Sequence, residues 1–262
     1  MKLGEQLFLA GKSYGQAIRL IDKYKLWSLL ILPAILSLII AIIVGGLAWM
    51  TSRDVLTFII NKYSFNDFDE KMGSVLKFTL SIIVRLVMLF FYLKIYRYLI
   101  LIILSPVFVN ISNALQSAIY GDNQKADIWS YCYCSFRGIK IAIRNFIYEI
   151  LLTFVLVFIS LIIFWILPLI PILILFIESY FFGMTLMDYK FNQNDIGQKD
   201  GISITRNHSG LAITNGLVFN LIILVPIIGV IVGPVWAFIA SWEACDHIKF
   251  LAANVNKINK PI

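Results

Sequence analysis

The chain has 262 residues, of which 60% are hydrophobic and 14% charged, with a mean hydropathy of +0.86. Soluble domains carry about 25% charged residues, so this chain lacks the polar surface that a water-soluble fold needs. Its net charge of +7 comes from 22 basic and 15 acidic residues. The basic residues cluster beside apolar runs, which assigns them to orientation and lipid headgroups and gives no support to a nucleic-acid partner.

Apolar stretches of about 18 residues or more read as bilayer spans, and within hydrocarbon the backbone must satisfy itself as helix or closed barrel. The runs here are long and do not alternate in polarity. The expected fold is therefore an all-α polytopic integral membrane protein. It is built from long spanning helices plus helical hairpins, at least one half-penetrating, with amphipathic interfacial helices.

Residues 1–28 place Leu3, Leu7, Ala10, Tyr14, Ala17 and Ile21 at helical spacing, with Glu5, Lys12, Gln16, Arg19 and Lys23 opposite. That pattern predicts an amphipathic helix lying in the headgroup layer or packed on the rest of the protein. A first span follows at 29–50, without a charge and with Pro33 in its first turns. A polar external loop is expected over 51–73. The second span, 74–104, carries Arg85, Lys94 and Arg97. Cations at span depth either snorkel to an interface or face a partner or a wet cavity.

Ser105-Pro106 suits a helix start, and the region 105–145 reads as cytoplasmic amphipathic helices, with Arg137, Lys140 and Arg144 on one face. A helical hairpin is predicted over 146–187, turning at Pro168 and Pro171. Glu178 is the acid of its second arm, with Arg85 or the Tyr180 hydroxyl as expected structural partner. A cytoplasmic loop is expected over 188–210. Asp188 is placed at the hairpin mouth to pair with Arg206 or cap the loop, an architectural role. The block 211–240, broken by Pro226, Gly229, Gly233 and Pro234, predicts a half-penetrating hairpin ahead of a cytoplasmic tail, 241–262.

Of the 22 basic residues, 15 fall on the termini, the 105–145 region and the 188–210 loop, against 4 in residues 51–77. The positive-inside rule then puts both termini in the cytoplasm. Cys132 and Cys134 have only the distant His208 and His247 for company, so no metal site is expected. No P-loop occurs, and no cofactor is expected. An intramembrane serine–histidine pair, H-E-x-x-H or aspartate pair is likewise missing, so enzyme chemistry has no support.

Several short motifs stand in a recognisable order: Gly11, Leu32-Pro33, Leu104-Ser105-Pro106-Val107-Phe108, Gly121, Met187-Asp188-Tyr189-Lys190-Phe191, Gly216, Val225-Pro226-Ile227 and Gly233-Pro234-Val235. In that order they resemble the CysZ sulfate-permease family, which shares its domain with the eukaryotic etoposide-induced membrane proteins. The resemblance covers nearly the whole chain. It implies long spans with partly inserted hairpins, a homo-oligomer in a bacterial inner membrane, and passage of sulfate or a related oxyanion into the cytoplasm. Bacterial members carry an arginine pair before the first span, where this chain has Trp27 and Ser28, with Lys25 the nearest cation. The anion-binding candidates here are Arg85, Lys94, Arg97 and Ser105. The structural candidates are Glu178, Asp188, Tyr189 and Arg206. A non-transporting scaffold that binds lipid or protein partners is the alternative reading.

Overall fold

A computed structural model describes residues 2–62, 70–121, 128–225 and 228–248. The described residues contain ten α-helices. These are α1 (Leu3–Lys23), α2 (Trp27–Lys62), α3 (Glu70–Ile103), α4 (Ser105–Tyr120), α5 (Ile128–Ile162), α6 (Ile170–Gln193), α7 (Gln198–Asn207), α8 (Ser209–Ile223), α9 (Ile228–Ile231) and α10 (Gly233–Asp246). A 3₁₀ turn, Phe164–Leu169, joins α5 to α6 around Pro168. Among the described residues, four helical stretches are long and apolar enough to cross a membrane: Trp27–Lys62, Gly73–Ile103, Ile128–Ile162 and Phe164–Gln193. The chain is a multi-pass helical membrane protein.

Helices run through several stretches expected to be loops. Residues 51–62, placed in the external loop, continue α2, and Arg53 and Asp54 lie on that helix. Pro33 is seventh in α2, within its first two turns. The break expected between 145 and 146 is absent, because Arg144-Asn145-Phe146 contains no Gly or Pro to end α5. The expected 188–210 loop is mostly helix: α6 extends to Gln193, and α7 fills Gln198–Asn207. The tail beyond residue 248 and Pro226 lie outside the described residues.

The chain divides into two compact units, residues 38–100, and residues 1–37 with 101–262. Within the first, α2 and α3 meet through a hydrogen bond between Thr51 Oγ1 and Tyr92 OH, 2.9 Å. Both helices present mostly apolar side chains outward, among them Ile42, Ile43, Phe78 and Leu86. Such surfaces are stable against lipid, not water.

In the second unit α1 lies against α8 and α10. Its buried face is Gln6, Ala10, Ser13, Tyr14, Ala17 and Ile21. Leu3 and Leu7, assigned to that face from spacing, are exposed along with Phe8. The Tyr14 hydroxyl donates to the Asn215 carbonyl on α8 (2.7 Å), and Trp236 Nε1 on α10 donates to the Tyr14 carbonyl (2.8 Å). Helices α6 and α8 pack backbone against backbone. A Cβ on Gly183 would strike the Ala212 carbonyl, and one on Gly216 would strike the Ser179 carbonyl. Small residues at a crossing let two backbones touch, which is how apolar helices associate where lipid supplies no hydrophobic drive.

Candidate functional site

The α6 segment Asp188-Tyr189-Lys190 projects three polar side chains in three directions, since consecutive helical residues are set about 100° apart. Each finds a different helix. Asp188 meets Arg137 of α5 in a two-pronged ion pair: Arg137 Nε donates to Oδ2 at 2.9 Å and Nη2 to Oδ1 at 2.7 Å. The two side chains are only 8% and 6% exposed. Arg137 Nη1 also donates to the Ile196 carbonyl (2.7 Å) and to Asn192 Oδ1 (3.1 Å), so the guanidinium is nearly saturated.

Tyr189 donates to Ser105 Oγ at 2.9 Å, and Ser105 Oγ donates onward to the Ser135 carbonyl at 2.8 Å. The chain of hydroxyls fits only because position 138 is glycine, where a Cβ would collide with both the Tyr189 and Ser105 oxygens.

Lys190 turns to α10 and α4. Its ammonium lies 2.9 Å from Asp246 Oδ1, 3.2 Å from the Trp242 ring centroid and 4.9 Å from the Tyr120 ring centroid. Two ring faces and a carboxylate replace the water it has lost. The Lys190 side chain is 1% exposed, whereas that of Asp246 is 23% exposed. Tyr120 OH donates to Asp246 Oδ2 at 2.8 Å. Burial and the nearby Asp246 raise the Glu243 carboxyl above its ordinary range. Trp242 Nε1 is shared between Ser112 Oγ (3.1 Å) and Gln193 Oε1 (3.0 Å).

The expected site residues separate into groups. Arg85 is exposed and stacks its guanidinium 4.9 Å from the Trp49 ring centroid within the 38–100 unit. Lys94 and Arg97 are buried one turn apart near the end of α3, and Lys94 Nζ lies 5.5 Å from the Phe90 ring. Ser105 is fully buried in the other unit and is joined there to Tyr189, which links an anion candidate to a structural one. The residue capping α4 is Leu104, not Ser105, whose hydroxyl is taken up by Ser135. Glu178 is buried on α6.

Asp188 pairs with Arg137 and not with Arg206, which is exposed on α7. Arg137, expected on the basic face of a cytoplasmic amphipathic helix, is buried inside the unit. Lys190, Asp246, Trp242 and Tyr120 carried no site expectation. Their partners lie 49 to 130 residues apart, a separation that helical periodicity does not report. At the first-span entry, Trp27 Nε1 donates to Asp22 Oδ1 at 2.8 Å. Lys25 occupies the left-handed region, φ 53°, in the tight turn between α1 and α2.

Four long apolar helices and this buried polar hub define a polytopic helical membrane protein. The chain belongs to the family described as sulfate transporter CysZ/etoposide-induced protein 2.4, whose profile matches residues 13–234. No curated protein matches it.

Proposed function

We propose that this chain is an oxyanion permease, acting as a channel or secondary carrier with sulfate as its leading substrate. The observation that carries the reading is the pair of cations Lys94 and Arg97, buried one turn apart on a spanning helix. Burying two positive charges at span depth is expensive, and such residues mark ion pathways. Membership of a family described by sulfate transport supports it. Arg85 guides anions from its exposed position. Ser105, with its hydroxyl held by Tyr189 and Ser135, serves as the fixed start of α4. The protein functions as a homo-oligomer in a bacterial inner membrane with both termini cytoplasmic, and it performs no enzymatic chemistry.

The test is radiolabelled sulfate uptake into proteoliposomes, with selenate and phosphate as competitors. Saturable uptake, blocked by selenate and lost in the Lys94→Gln, Arg97→Gln double variant, is expected. Unchanged flux in that variant refutes the site. Absence of uptake by well-folded protein refutes the permease reading and favours a scaffold. The scaffold reading draws on one observation: Ser105 is fully buried with its hydroxyl already engaged on both sides.

A further inference from the structure

The face of α5 that carries Arg137 carries a second arginine, two turns on, that the ion pairs leave unused. The Arg144 guanidinium sits 5.2 Å from the Tyr148 ring centroid, and its Nη1 is buried with no hydrogen-bond acceptor. Buried donors in folded proteins are almost always satisfied, so an orphaned guanidinium N–H points to a missing acceptor. Asp188 lies in electrostatic reach of Arg144, but Arg137 takes up both its oxygens.

The surroundings of Arg144 are built. Tyr148 stacks on Phe181 at 6.4 Å, and Phe181 lies edge-on to Tyr180 at 5.3 Å. Tyr180, on α6, is half-buried, and the charges of both Arg144 and Arg206 act on its hydroxyl. Three helices thus bring two guanidiniums within electrostatic reach of one phenol. Among the described residues, neither arginine has a carboxylate partner. Arg206 is exposed on α7, outside the long apolar helices, so the cluster opens at the end of the hairpin.

We infer that Arg144, Arg206 and Tyr180 form a binding site for a tetrahedral oxyanion, either the phosphate of a membrane lipid or a free sulfate or phosphate ion. Guanidinium planes match such oxygens in pairs. The Tyr148 face holds the Arg144 plane in position, and the Tyr180 hydroxyl adds a third donor. The site goes beyond the permease reading, since it uses neither Lys94 nor Arg97.

Two arms identify the ligand source. In the first, the full chain is reconstituted in nanodiscs of phosphatidylcholine with phosphatidylglycerol, and native mass spectrometry counts the anionic lipid it retains. In the second, sulfate and phosphate are titrated against thermal stability in phosphatidylcholine nanodiscs. Arg206→Gln and Tyr180→Phe are expected to weaken whichever ligand binds by roughly tenfold, the loss of one charge-assisted hydrogen bond. Lys199→Gln, an exposed cation on the same helix, is expected to leave it unchanged. Because Arg206 is exposed, its variant keeps the test decisive even where Arg144→Gln fails to fold. Lipid retention lost in the variants assigns the site to a headgroup, and lost sulfate protection assigns it to a free ion. No ligand in either arm, or equal loss in Lys199→Gln, overturns the inference. A chain that binds here and fails to transport sulfate sinks the permease reading alone.

Discussion

Removing one half of the Arg137–Asp188 pair is expected to be worse than removing both halves. Asp188→Leu strips two charge-assisted hydrogen bonds from Arg137, at Nε and Nη2. Each such bond contributes about 1.5–3 kcal/mol. The guanidinium cannot swing to water to recover them, because Nη1 remains tied to the Ile196 carbonyl and Asn192. At 8% and 6% exposure the pair is barely screened by solvent, so the expected cost is about 3–5 kcal/mol, the usual result of leaving a buried charge uncompensated. Arg137→Met strands the carboxylate instead and costs a similar amount. The double variant removes both charges and fills the space with apolar atoms, so it costs less than either single change. Unfolding in mixed micelles by added SDS, followed by tryptophan fluorescence, measures all three. Arg206→Gln serves as control and is expected to shift stability by no more than about 0.5 kcal/mol, as at other exposed positions. Single effects that simply add in the double variant would refute the pairing, and so would an Arg206→Gln loss as large as that of Asp188→Leu.

The second ion pair is asymmetric. Asp246→Asn leaves a fully buried ammonium with ring faces and the neutral Gln116 amide oxygen (3.4 Å) but no counter-charge, whereas Lys190→Met leaves a part-exposed carboxylate that still accepts from Tyr120; the same unfolding assay is expected to show the larger loss for Asp246→Asn. Tyr189→Phe removes one buried hydrogen bond, and a loss of about 1 kcal/mol is expected. Gly216→Ala drives a methyl into the Ser179 backbone and is expected to cost about 1–3 kcal/mol, with α6 and α8 forced apart. The raised Glu243 carboxyl binds its proton more tightly folded than unfolded, so its contribution to stability is full below the unfolded pKa and fades as pH rises through the folded one. Glu243→Gln is therefore expected to be more stable than the parent chain at neutral pH. That advantage should shrink as the medium is acidified; an unchanged difference across the titration refutes the shift.

The spans were legible because hydrocarbon imposes one rule along the whole chain, and a run such as Leu29–Met50 has no other solution. Boundaries were less legible. Arg53 and Asp54 look like loop residues, yet nothing there terminates a helix, and α2 carries them outward. Asp188 was recognised as architectural, but its partner was taken from the nearer chain segment. Arg206 is 18 residues away and exposed, while Arg137 is 51 away and buried. Only the packing of α5 on α6 decides between them. Trp242 and Lys190 were not legible as a pair at all, because they lie on different helices, α10 and α6, and no helical period connects them.

The placement of charge also argues for a division of labour. Asp188, Tyr189 and Lys190 each commit their polar atoms to another helix, and both acids they involve, Asp188 and Asp246, have each side-chain oxygen engaged. Groups bound this fully hold helices together; they are poorly suited to bind and release an ion at each turnover, since every release would strand a buried charge. On the permease reading proposed above, transport lies outside this hub, at the α3 cations Lys94 and Arg97. Substitutions in the hub should accordingly lower the yield of folded protein while leaving the flux per folded molecule unchanged. Lys94 and Arg97 substitutions should do the reverse. A hub variant that folds at normal yield but transports nothing would place the ion path through α6 and overturn that division.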